Sequence, residues 1–144
     1  MNVEIREGFP DVDIIINCPQ ATEEIHRIAS ILQGMDEKLP GVKDDYTYMI
    51  DRKDIYYFEV VDKRYFIYTE NDAYETHLKL YEVEKCLSGA GFFRGSKSQI
   101  INIAKIASLC PEFDGRIEVI MHNGEKLIVS RQYAKLLKER LGLR

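Results

Sequence analysis

The dipeptide Asn123-Gly124 lies between Ile117–Met121 and Lys126–Val129, and it constrains the fold more than any other feature of the chain. Within His122-Asn123-Gly124-Glu125, Asn-Gly is the strongest short hairpin signal a sequence offers, so this stretch predicts an antiparallel hairpin. A second candidate precedes it. Ile55–Val61 and Arg64–Thr69, rich in Tyr, Phe, Ile and Val, flank the tight polar turn Asp62-Lys63. Tyr46–Ile50 and Phe92–Arg94 read as further strands, and the β-branched run Asp13–Asn17 as a strand stopped by Cys18-Pro19. The expected class is mostly β with short helices, an α+β domain.

Three segments carry helical spacing. Ile25, Ile28, Ala29, Leu32 and Met35 predict an amphipathic helix over residues 21–35. Thr22 is its expected N-cap; Ile25 stands where a capping box would need Glu or Gln, while Glu23 and Glu24 complement the helix start. Leu39-Pro40-Gly41 should break that helix, and Val42–Asp45 reads as a linker. Leu78, Leu80, Tyr81, Val83, Glu84 and Leu87 mark a second helix closed by Ser88-Gly89. Ile100–Ile106 is apolar and fits a short helix or a buried turn. Ser130 is the expected cap of a last helix bearing Tyr133, Leu136, Leu137 and Leu141, ended by Gly142.

Composition excludes several classes. The 144 residues are 45% hydrophobic and 31% charged, which is globular rather than disordered. No apolar run approaches the roughly 20 residues that span a bilayer, and the N-terminus has no signal-peptide core, so no membrane insertion is expected. Cys18, Cys86 and Cys110 are odd in number and scattered, which points to a reducing cytoplasm rather than a disulfide framework. Cys86 fits a core position better than a nucleophile. His26, His77 and His122 fall on separate elements, so no metal or other cofactor is expected. There is no phosphate-binding glycine loop, nucleophile elbow, C-x-x-C or H-E-x-x-H, and thus no support for an enzyme.

Charge is distributed unevenly. The net charge is −4, yet residues 1–85 hold 10 Lys+Arg against 19 Asp+Glu, a balance of −9, and residues 86–144 hold 10 against 5, a balance of +5. Such asymmetry suggests an anionic partner for the second part. Between Gly91 and Pro111 there is no acid, while Arg94, Lys97 and Lys105 alternate with Ser96, Ser98, Gln99 and Asn102. These residue types contact phosphate oxygens and base edges. Further basic groups stand at Lys63-Arg64 and at Arg131-Gln132. Each cluster alone fits a solvated loop; their joint occurrence, each at an element boundary, lowers the weight of that reading without settling it.

The segments FFRGSKSQIINIAKI and IEVIMHNGEKLIVSRQYAKLLKERL, preceded by IYYFEVVDKRYFIYT, resemble the LytTR DNA-binding domain of bacterial transcriptional regulators over residues 46–144. The resemblance implies a β domain that inserts loops into successive major grooves at paired direct-repeat sites, usually as a homodimer. It implies DNA contacts at Lys63 and Arg64, at Ser96, Lys97 and Ser98, and at Arg131, with Lys97 foremost. Arg94 and Asn102 also match family positions, Arg94 as a phosphate contact or brace and Asn102 as a loop-holding residue. Phe93, Ile101, Ile106 and Tyr133 fit its apolar positions. Gly95 and Ser96 depart from it, since many relatives carry a bulkier apolar residue and a histidine there.

Residues 1–45 stand outside the resemblance and are too short for a phosphoacceptor receiver domain. They are expected to form a small strand-helix module whose apolar face, Ile25, Ile28 and Leu32, packs on the β domain, a second subunit or a regulatory protein. The competing reading is a protein–protein interaction module in which the acidic part docks a partner and the basic loops are only solvated.

Overall fold

In the computed structural model, residues 1–34, 38–87 and 91–143 are described. Met35, the expected Ser88-Gly89 helix stop and the side chain of Cys86 lie outside the described residues.

The chain runs α1 (Glu23–Gly34), β1 (Lys38–Lys43), β2 (Tyr46–Asp51), β3 (Tyr57–Val61), β4 (Arg64–Tyr68), β5 (Ala73–Thr76), α2 (Leu80–Leu87), β6 (Phe92–Ser96) and β7 (Gln99–Asn102). It continues with β8 (Ile106–Pro111), β9 (Ile117–Met121), β10 (Lys126–Val129) and α3 (Arg131–Arg140). The mostly β reading with short helices is correct. Strands β2-β1-β5-β4-β3-β7-β6 form one seven-stranded sheet and β10-β9-β8 a second, three-stranded one, with antiparallel neighbours throughout.

The larger sheet is buried on both faces at its β3 and β7 strands, and the period of two decides which residue goes where. Phe58 and Ile100, paired across β3 and β7, face Leu80, Val83 and Leu87 of α2. Their neighbours Tyr57 and Ile101 point the other way, into a core with Phe93 and with Ile117, Val119, Met121, Leu127 and Val129 of the smaller sheet. Ala134 and Leu137 of α3 complete that core, and Ile106 and Tyr133 pack at its margin. Helix α1 lies against α2, and Thr22 caps it by accepting the Ile25 amide at its hydroxyl, 3.4 Å.

Several expectations are corrected. Residues 13–17 form no strand: Ile14 and Ile15 are exposed, and a β-branched run gains no ladder without a partner strand. Leu39–Asp45 is not a break followed by a linker but β1 and its turn into β2. Asp44 and Asp45 take φ of 51° and 67° there, the two positive values a tight hairpin requires. Ile100–Ile106 divides into the end of β7, a single 3-10 turn at Ile103–Lys105 and the start of β8. Ser130 precedes α3, but its side chain makes no capping hydrogen bond.

Candidate functional site

Two hairpin turns meet at one end of the large sheet. Asp62 and Lys63, with φ of 50° and 64°, join β3 to β4. Lys97 and Ser98 join β6 to β7. Because β3 pairs antiparallel with β7, the end of β3 lies beside the start of β7, and the Val60 amide donates to the Ser98 carbonyl at 2.9 Å. The start of α3 arrives from the smaller sheet: the Ser130 amide donates to the Gly95 carbonyl at 2.9 Å, which sets Arg131 beside the β6–β7 turn. The three basic clusters, distant in sequence, therefore share one end of the molecule.

The β6–β7 turn is tightly organised. The register shifts between Arg94 and Ser96, a bulge that re-aims the chain entering the turn. Arg94 then holds it from behind: Nε donates to the Ser96 carbonyl and Nη2 to the Lys97 carbonyl, both at 2.7 Å, while Nη1 meets Glu84 of α2 at 2.9 Å. Ser96 Oγ accepts the Ser98 amide at 3.1 Å and lies 3.3 Å from Ser98 Oγ. The chain at Gly95 lies close to the core, where a Cβ would stand 2.6 Å from Ile101 Cδ1, the tip of that side chain. Gln99 is committed inward, its amide 2.5 Å from Glu59 Oε2.

The charged groups divide by what they already hold. Lys63, Lys97 and Arg131 are exposed, and among the described residues their side chains make no hydrogen bond or ion pair. Arg64 is paired: it meets Glu75 across β4 and β5 through Nε at 3.1 Å and Nη2 at 2.8 Å, and its guanidinium stands 5.2 Å from the Phe66 ring centre. The Arg64 hydrogen bond holds the Glu75 carboxyl below its ordinary value and raises Arg64 in return. Asn102 sits at the opposite end of β7 from the turn, 5% exposed. Its Nδ2 donates to the Ile55 carbonyl at 2.8 Å and its Oδ1 accepts the Ala104 amide at 3.1 Å, the loop-holding pattern.

One element at this end was not legible beforehand. The β8–β9 loop, residues 112–116, lies beside the start of α3, because Ile117 pairs with Val129 and Gly115 abuts Arg131. Asp114 is held low chiefly by the Arg116 amide, with lesser contributions from the Arg116 guanidinium and Arg131. Without β8 in view, nothing in the sequence links this loop to Arg131. Among the described residues no cluster of ligating side chains could hold a metal, and no helix is long and apolar enough to cross a membrane.

The end as built presents unpaired cations from three rigid backbone supports, suited to an extended polyanion. Comparison with known proteins agrees with that chemistry. The family model of the LytTr DNA-binding domain matches residues 45–142. An uncharacterized HTH-type transcriptional regulator of Staphylococcus aureus (strain NCTC 8325 / PS 47) is 30% identical over 99% of this chain and 98% of its own length. The sensory transduction protein LytT of Enterococcus faecalis is 34% identical over 74% of this chain and 44% of its own. A solved LytTr DNA-binding domain from Bacillus cereus superimposes with a TM-score of 0.71 at 25% identity, covering 75% of this chain and 99% of that domain.

Proposed function

The chain belongs to the LytTR DNA-binding family, and from that premise we propose that it is a sequence-specific transcriptional regulator that reads duplex DNA with loops rather than a helix. The observation that carries this reading is the convergence of Lys63, Lys97 and Arg131, each without an internal partner among the described residues, at one end of the sheet. Lys97 at the apex of the β6–β7 turn serves the central groove contact, to guanine O6/N7 or phosphate. Arg131 and Lys63 serve the flanking ones. Ser96 and Ser98 order the turn and offer hydroxyls to either class of acceptor. Arg64 reaches DNA only by sharing or leaving Glu75, while Arg94 and Asn102 act from behind as braces. The helices also favour loops: among the described residues each is separated from the next by strands, so no helix-turn-helix pair is formed.

The protein acts in the cytoplasm, as a homodimer on paired direct repeats, and requires no catalysis. Selection of bound duplexes from a random pool near physiological salt tests this. Enrichment of a spaced repeat is the expected result, and its spacing reports the dimer geometry. A full chain that folds by circular dichroism yet enriches nothing refutes specific recognition and favours the interaction-module alternative.

A further inference from the structure

The β8–β9 loop displays Phe113 at 106% relative exposure, a phenyl ring with no shelter at all. A ring left in water is ordinary on a loose tail, but this loop is tied by its own hydrogen bonds. The Glu112 amide donates to the Arg116 carbonyl at 2.8 Å and the Gly115 amide to the Glu112 carbonyl at 3.1 Å. The Arg116 amide and Nε donate to the two oxygens of Asp114 at 3.1 and 2.8 Å. Gly115 takes φ of +92°, and a Cβ added there would lie 2.9 Å from Arg131 Cγ, so the Arg131 stem runs along this loop. The loop's two carboxylates are matched internally, since Arg116 bonds Asp114 and stands 3.6 Å from Glu112. What the loop offers outward, two residues before the glycine that abuts the Arg131 stem, is an apolar ring.

We propose that Phe113 is a further DNA contact, an apolar one, that meets thymine methyl groups in the major groove beside the base pair approached by Arg131. This rests on the DNA-reading function above. The cations at this end address phosphate oxygens and guanine acceptors, whereas the thymine C5-methyl is the major-groove feature that needs an apolar partner. An apolar contact releases no counterions, so its contribution is separable from theirs by salt dependence.

The test uses the full chain and a duplex recovered by selection, made once with thymine and once with deoxyuridine, which lacks the methyl. Wild type should bind the deoxyuridine duplex about fourfold more weakly for each methyl met by the ring. Phe113→Ala should lose about tenfold on the thymine duplex. It should bind both duplexes alike, with an unchanged slope of log Kd against log salt. Wild-type affinity in Phe113→Ala would overturn the proposal. So would a variant that loses affinity but keeps the full thymine-to-uracil difference, or one whose loss coincides with dissociation of a wild-type dimer in sedimentation. The reading function fails separately: if wild type selects no duplex, both fall, whereas a silent Phe113→Ala beside a weakened Arg131→Ala removes only this contact.

Discussion

Nη2 of Arg94 donates to the carbonyl oxygen of Lys97 at 2.7 Å, so the residue whose ammonium stands free is held from behind by a guanidinium rooted in β6. The same fork reaches Ser96 and Glu84, which ties the turn to α2 on the far side of the sheet. Arg94→Ala should weaken binding to the selected duplex about tenfold, ~1.4 kcal/mol, while sparing unrelated duplex. Arg94→Lys should recover only part, because an ammonium cannot reproduce the fork. Anisotropy titrations on both duplexes check this; equal losses on both would make Arg94 a phosphate contact instead of a brace.

Lys97→Ala and Arg131→Ala should each cost about 1–3 kcal/mol of specific binding. Both side chains are exposed and make no internal bond among the described residues, so the melting temperature should not move. Lys63→Ala, at a flanking groove contact, should weaken the selected duplex more than an unrelated one. Two full-affinity variants at positions 97 and 131 would place the reading end elsewhere.

Asn102→Ala should act on stability. It leaves the Ile55 carbonyl and the Ala104 amide without their partner, a cost of about 1–3 kcal/mol by urea denaturation. Correcting for the unfolded fraction should restore the wild-type Kd.

Gly95→Ala should disturb fold and recognition together. Its methyl would meet Ile101, 1% exposed in the core, and overpacking of this kind costs about 1–3 kcal/mol. The Gly95 carbonyl also anchors Ser130, so a backbone shift there should broaden the amide resonances of both the β6–β7 turn and the start of α3.

The Glu75 carboxyl titrates below its ordinary value of 4.5 in the folded chain, chiefly because Arg64 donates to it. A folded-state value below the unfolded one means the pair stabilises the fold above about pH 4.5 and stops doing so as pH falls through the folded value. Carbon-detected NMR titration should find that midpoint below 4.5 in wild type and shifted up in Arg64→Gln. An unmoved midpoint would deny the ion pair.

Much of this was legible in the sequence, for local reasons. Asn123-Gly124 and Asp62-Lys63 announced hairpins because turn chemistry is short-range, and α3 showed its apolar stripe plainly. Fold information carried by distant partners was not legible. Asp13–Asn17 has strand composition but nothing to pair with, whereas β1 contains Pro40 and Gly41 and is a strand because β2 offers it six partners. β8 carried no such signal: its mostly exposed residues and terminal Pro111 suit an edge strand, where proline is tolerated, and it is a strand because β9 pairs with it. At the candidate site the residue types were visible, but the division into free and committed was not. Arg64 and Arg94 look like Lys63 and Lys97 until Glu75, Glu84 and the turn carbonyls are in place.

The pairing of β3 with β7 joins residues some forty positions apart, and both turns stand on the rim of that seam. Their apical side chains touch water, while the residues that shape the seam touch one another. A chain arranged in this way can exchange Lys63 or Lys97 at its rim without renegotiating the interior. What the rim reads and what the frame holds can then be altered separately, because different residues of the same strands carry them.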